Sequence, residues 1–225
     1  MGWLMKFVNS SIGKKFVMAL TGSLLILFLC VHLIGNLTLY FGEEAFNSYV
    51  STLDIVKPIV RVVEFILALI FIFHIYFGVV LWFNNKKAKP VRYKINASSD
   101  SSTLSSRWMI WTGGFVLIFL VMHLSTFWYA FNFSGEVEID GVHQYYIIVT
   151  DWFKDPVYAS VYVLAMIFLG FHLNHGFQSF FQTFGWNQKK YMPLIKKLGT
   201  LYAIVIALGF ASLPIYFFIS SLGGK

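Results

Sequence analysis

Charge is scarce in this chain. Ionisable Asp, Glu, Lys and Arg make up 12% of its 225 residues, about half the share in an ordinary soluble domain. A soluble globule of this size could not cover its surface with so little polar material. Cysteine is nearly absent, with Cys30 alone, so no disulfide framework can form within the chain. Short segments of alternating polarity are missing too, which excludes strand-type membrane spans.

What the chain has instead is apolar length. It is 58% hydrophobic, with a mean hydropathy of +0.70. A helical span needs about 20 predominantly apolar residues. Five stretches meet that requirement: Phe16–Phe41, Ile59–Phe83, Trp108–Phe133, Val157–Phe181 and Gly199–Leu222. The expected fold is an all-α membrane bundle of five helices, one domain over residues 1–225. The basic opening, "MGWLMKFVNSSIGKKF", leads into a run too long for a signal peptide and without an A-x-A cleavage pattern, so it is expected to be retained.

The connecting segments sort by sign. Lys6, Lys14 and Lys15 precede the first span; Lys86, Lys87, Lys89, Arg92, Lys94 and Arg107 follow the second; Lys189, Lys190, Lys196 and Lys197 follow the fourth. The other two connectors hold most of the acids: Glu43, Glu44, Asp54, Glu136, Glu138, Asp140, Asp151 and Asp155. The positive-inside rule then puts the N-terminus in the cytoplasm and the C-terminus outside. The Ser-rich basic stretch from Lys86 to Arg107 reads as a cytoplasmic loop. It serves either as a topology signal against anionic lipid or as a docking face for a soluble partner.

Histidine is the informative residue. His32, His74, His123 and His172 stand one in each of the first four spans, and the fifth has none. Ionisable groups inside a membrane mark function by default. Counting along the spans puts His32 and His123 in the outer half, and His74 and His172 in the inner half. The two levels are expected to differ by roughly 10 Å at about 1.5 Å per residue. Two histidines from different helices at one depth are what axial ligation of a haem iron needs, and the sequence supplies two such pairs. No C-x-x-C-H occurs, so haem would be held without thioether links. Zinc would want a tighter cluster of ligands, and copper would want Cys or Met beside the histidines. Gly35, Gly78 and Gly176, each about one turn from a candidate ligand, are expected either to make room for a flat macrocycle or to serve ordinary helix packing. His175, three residues past His172, is a candidate for a haem propionate or for the wet interface. His143 is expected to be solvated.

These residues resemble a known family: the single-chain, five-helix, dihaem cytochrome b anchor of succinate dehydrogenases and fumarate reductases, in the form that uses menaquinone. The similar pieces are "SSIGKKFVMALTG", "HLIGN", "HIYFG", "MHLSTFW" and "FHLNHGF". The resemblance implies two b-type haems, the proximal one held by His74 and His172 and the distal one by His32 and His123. It also implies two cytoplasmic partners, an iron–sulfur subunit and an FAD-containing flavoprotein, and a place in the inner (cytoplasmic) membrane among lipid. Electrons would pass between succinate or fumarate and menaquinone. A nucleic-acid partner is not expected, and a dimer of complexes stays open. Some members carry a glutamate two residues before the fourth ligand, implicated in proton movement. Gly170 stands there in this chain, so that route is not expected here. A dihaem quinone-reducing subunit for a hydrogenase or formate dehydrogenase remains the alternative.

Near the outer end of the second span, Arg61 and Glu64 share a helix face. Glu64 is a candidate proton acceptor for quinol chemistry, and Arg61 a candidate partner for distal haem propionates. The pair is alternatively an interfacial ion pair. Glu44 and Asp54 are less specific carboxylates. Asn36, Tyr40, Trp128 and Tyr129 are candidates for a quinone carbonyl, against the ordinary aromatic belt of membrane proteins.

Overall fold

A computed structural model of the protein describes residues 2–87, 108–133, 138–139 and 142–223. Five of its helical segments are long and apolar enough to cross a membrane: Ser11–Phe41, Lys57–Lys87, Met109–Phe133, Pro156–Thr183 and Met192–Gly223. They are called the first to fifth spans below. The protein is an all-α, multi-pass membrane protein. Among the described residues the one strand element is a short antiparallel ribbon, Glu138 opposite His143 and Ile139 opposite Val142.

Four of the five spans outrun the apolar runs from which they are expected. The second begins at Lys57 rather than Ile59 and continues to Lys87 rather than Phe83. The fifth begins at Met192 rather than Gly199. Helix propagation is favourable once nucleated, and lysine can lie along an apolar surface while its ammonium stays wet. Hydropathy therefore marks the buried length of a span and not the length of its helix. Of the expected cytoplasmic loop from Lys86 to Arg107, residues 88–107 lie outside the described residues, as do Glu136 and Asp140.

Local chemistry sets the helix ends. Ser10 closes α1 (Trp3–Asn9) and opens α2 (Ser11–Leu37). Its hydroxyl donates to the Phe7 carbonyl at 2.6 Å and accepts from the Gly13 N–H at 2.9 Å. Any Cβ at Gly13 would run into the Phe7 carbonyl oxygen at 1.9 Å, so the turn admits no side chain there. A short 3-10 turn, Thr38–Phe41, ends the first span, and Gly42 at φ +92° reverses the chain. Asp155 caps the fourth span by accepting from the Tyr158 N–H at 2.7 Å, with Pro156 in the first turn.

Two connectors also form helices: α3 (Glu43–Ile55) and α7 (Tyr145–Lys154). The labels α4, α5, α6, α8 and α9 denote Lys57–Lys87, Met109–His123, Tyr129–Phe133, Pro156–Thr183 and Met192–Gly223. α7 buries Tyr145, Val149, Thr150 and Phe153, one face at helical spacing. α3 and α7 are tied to one another. Tyr145 donates to Asp54, and Asn47 accepts from the Tyr146 N–H at 2.9 Å. Together they close one end of the bundle, the acidic end. The opposite, basic end carries most of the described lysines, while Lys57 and Lys154 pair with Asp54 and Asp151 at the acidic end.

The fourth span is the hub. It packs against the fifth, third and first spans; the first packs against the second; the second and third barely meet. Around the bundle the order is thus second, first, fourth, third. The fifth span buttresses the first and fourth through small residues. A Cβ on Gly170 would lie 3.2 Å from Ala207, and one on Gly209 only 2.7 Å from Leu33. The Tyr202 hydroxyl donates to the Ile26 carbonyl at 2.6 Å. Outward-facing residues of the spans, such as Phe65, Ile72, Phe73, Ile118 and Leu208, are exposed. That contiguous apolar surface suits lipid and would be a liability in water.

Candidate functional site

The four span histidines meet in two pairs. His32 and His123 have ring centroids 5.8 Å apart. His74 and His172 have theirs 6.2 Å apart. Given the order of the spans, each pair bridges a diagonal of the four-helix arrangement: first to third, and second to fourth. The ring planes stand at 87° in one pair and 70° in the other.

The separation of the two levels follows from cross-packing. Gly22 of the first span lies against His74, where a Cβ would sit 3.3 Å from the imidazole Cε1. Gly113 of the third span lies against His172, where a Cβ would sit 3.2 Å from Cε1. In both spans the next ligand candidate stands ten positions on, Gly22 to His32 and Gly113 to His123. At 1.5 Å per residue the levels are about 15 Å apart, wider than the roughly 10 Å read from span midpoints.

Of the two expectations for the glycines beside the candidate ligands, Gly35 and Gly78 follow the packing one. Gly35 receives Tyr49 of α3, whose hydroxyl would be 2.3 Å from a Cβ. Gly78 faces Met18, and a Cβ at Gly176 would meet nothing within 4 Å. The glycines that touch the imidazoles are Gly22 and Gly113. The signal for them was present in the sequence as a glycine ten residues before a histidine, twice.

Hydrogen bonds orient the rings. The Thr21 hydroxyl lies 3.3 Å from His74 Nδ1, and the Tyr162 hydroxyl 2.8 Å from His123 Nδ1. His172 Nδ1 is buried without a partner, the kind of orphan that a bound group accounts for. His32 stacks on Phe28 at 5.2 Å and touches Phe210 at 5.6 Å. Phe119 and Phe127 flank His123, so the acidic-end pair sits in an aromatic sleeve.

The donor set fits a bis-imidazole iron. Two imidazoles that bind one metal at about 2 Å from each nitrogen, with each ring centre roughly 1.1 Å behind its nitrogen, have centroids about 6 Å apart. Both pairs match. Among the described residues, no three His, Cys, Asp or Glu side chains gather as a metal cluster. His74 with His172, and His32 with His123, could each hold a two-ligand metal. His175 is half-buried, nearly a turn from His172 toward the basic end. Close by, Asn174 accepts from Gln178 at 2.8 Å and from Thr200 at 3.1 Å, a polar link between the fourth and fifth spans that sequence reasoning missed.

The acidic end holds a second constellation. Arg61 Nη1 donates to Glu64 Oε2 at 2.7 Å, and Arg61 Nη2 to Asn132 Oδ1 at 2.6 Å. The Trp128 indole N–H donates to Glu64 Oε1 at 3.1 Å, and Asn132 donates to the Trp128 carbonyl at 2.7 Å. Arg61, a candidate for propionates, is thus committed to Glu64 and Asn132. Glu64 lies ten residues from His74, about 15 Å along the helix, near the level of the acidic-end histidines. Trp128 reaches it from a π-helical turn, Leu124–Trp128, that directly follows His123. Such turns shift side-chain register and recur at functional sites.

The remaining quinone candidates are dispersed. Asn36 donates to the His32 carbonyl at 2.8 Å and lies beside the His32 ring. Tyr40 donates to Ser212 at 2.7 Å. It lines an open groove of about 560 Å³ with Leu208, Ile215 and Tyr216 on the fifth span, a different side of the bundle from Glu64. Tyr129 is exposed. Glu44 lies in the first turn of α3, and Asp54 is held by Lys57 and Tyr145. His143 is in the second strand of the ribbon. Compared with known proteins, the chain matches no family model, no curated protein and no solved structure.

Proposed function

We propose that this chain is the dihaem cytochrome b membrane anchor of a succinate dehydrogenase or fumarate reductase, carrying electrons between an iron–sulfur subunit and menaquinone. The observation that carries the reading is the pairing of four span histidines into two diagonals at 5.8 and 6.2 Å. His74 and His172 would hold the haem nearer the basic end, and His32 and His123 the haem nearer the acidic end. Bound haem would supply one-electron transfer at each level.

The rest is done by the chain's own groups. Gly22 and Gly113 leave the His74 and His172 rings free of Cβ crowding. Phe28, Phe119, Phe127 and Phe210 keep water from the acidic-end pair. Glu64 offers a carboxylate at about the same level, where quinol oxidation would release protons. Arg61 and Trp128 fix its two oxygens, so the carboxylate is oriented before any substrate arrives. The basic end, with Lys86, Lys87, Lys189 and Lys190, would face the cytoplasm and receive the iron–sulfur subunit, itself bound to an FAD-containing flavoprotein. The membrane would be the inner one.

Purification of the native complex in mild detergent, followed by mass spectrometry of its subunits, tests this. The expected partners are a flavoprotein with covalently attached FAD and an iron–sulfur protein. Hydrogenase or formate dehydrogenase subunits in their place would assign the chain to a different respiratory complex.

A further inference from the structure

Each histidine pair has one ring anchored by a hydroxyl of a neighbouring span and one ring without such an anchor. At the basic-end level the anchor is Thr21. Its hydroxyl donates to the Val17 carbonyl at 2.8 Å, with a longer contact of 3.1 Å to the Met18 carbonyl. A hydroxyl has one proton, so the Thr21 oxygen meets His74 Nδ1 at 3.3 Å as an acceptor, beside the Met18 carbonyl, which also takes a hydrogen bond from the His74 ring. That assigns the ring proton to Nδ1 and leaves Nε2 a bare lone pair. His172, its partner, has an unpartnered Nδ1.

At the acidic-end level the anchor is Tyr162, whose hydroxyl lies 2.8 Å from His123 Nδ1. That nitrogen is taken, so a metal can reach His123 only through Nε2. Nδ1 then keeps its proton and Tyr162 accepts it. His32 has the Asn36 amide 3.5 Å from both ring nitrogens, but that amide is already directed at the His32 carbonyl at 2.8 Å.

We infer that Thr21 and Tyr162 are paired positioning residues, one for each level, which fix Nε2 of His74 and of His123 as the metal-facing nitrogen and strengthen it as a donor. The inference rests on the two-haem reading above. An acceptor on Nδ1–H raises the basicity of a ligating imidazole, which favours oxidised iron and lowers the reduction potential. The shorter contact belongs to Tyr162, so its effect is the larger.

The test uses the purified complex with Tyr162→Phe, Thr21→Val and Thr21→Ser. Both positions are 7% exposed, and the first two changes remove a hydroxyl while nearly keeping volume. Haem per polypeptide is measured first. Redox titration followed by visible and low-temperature EPR spectra comes next. Tyr162→Phe is expected to raise one haem potential by roughly tenfold in its reduction equilibrium, about 59 mV for a one-electron couple, and to leave the other unmoved. Thr21→Val is expected to raise the other potential by less, and Thr21→Ser to restore it. With haem present in wild-type amount, unchanged potentials and EPR signals in both variants overturn the inference alone. Two variants that move the same haem overturn it as well. A wild-type complex without haem overturns the functional reading and this inference with it.

Discussion

Trp128 donates its indole N–H to Glu64 at 3.1 Å, joining the third span to the second beside the Arg61–Asn132 bond that links the same two spans. Trp128 ends the π-helical turn that follows His123, a kind of turn that shifts side-chain register. Glu64 thereby has a fixed partner on each oxygen, Arg61 on one and Trp128 on the other.

Removing the charge of Glu64 while keeping its shape isolates its part in quinone chemistry. Glu64→Gln is expected to leave both haem spectra intact. Quinone-linked turnover should fall by about 10²-fold or more, in the range of a lost acid–base group. Electron transfer from succinate to an artificial dye, which bypasses the membrane, should be spared. Normal quinone turnover would reduce Glu64 to a helix-end ion pair and send the search to Asn36, Tyr40 and their surroundings.

Gly113 should be required for one haem and not for the other. A Cβ there would sit 3.2 Å from the His172 ring, and a branched side chain would displace it. Gly113→Val is expected to cost the basic-end haem, halving the absorbance of the reduced b-type bands, while the acidic-end haem persists. Full haem content in this variant would show that the His172 ring is not where the iron is held.

Gly35 should matter for stability and not for haem. Its missing Cβ admits the Tyr49 hydroxyl of α3. Gly35→Val, whose branches Tyr49 cannot clear by a small shift, is expected to destabilise the protein by about 1–3 kcal/mol through overpacking, lowering the melting temperature in detergent with the reduced haem spectrum unaltered. An unchanged melting temperature would mean that α3 does not depend on that contact.

The spans, their number and the pairing of histidines were legible because membrane burial and ligand depth both project onto position along the chain. The partners of those histidines were not. Thr21 stands 53 positions from His74, and only helix packing brings them together. Gly22 and Gly113 touch the imidazoles from neighbouring spans, whereas Gly35, Gly78 and Gly176 are near the histidines only in sequence. The helices α3 and α7 were missed as elements, since short amphipathic helices at an interface lack the unbroken apolar run that identifies a span. The link from Glu64 to Trp128 could not be foreseen, because a π-turn leaves no simple trace in composition.

The basic end should be the docking face. Cross-linking of the intact complex is expected to join Lys86, Lys87, Lys189 or Lys190 to the iron–sulfur subunit. Cross-links confined to α3, α7 and the other acidic-end segments would reverse the orientation of the chain.

Two haems held by four histidines would show in the haem-to-polypeptide ratio. A pyridine haemochrome assay on the pure protein, with the polypeptide quantified by amino-acid analysis, should give two haems b per chain. A ratio of one would break the pairing of His32 with His123 or of His74 with His172, and a ratio of zero would contradict the account as a whole.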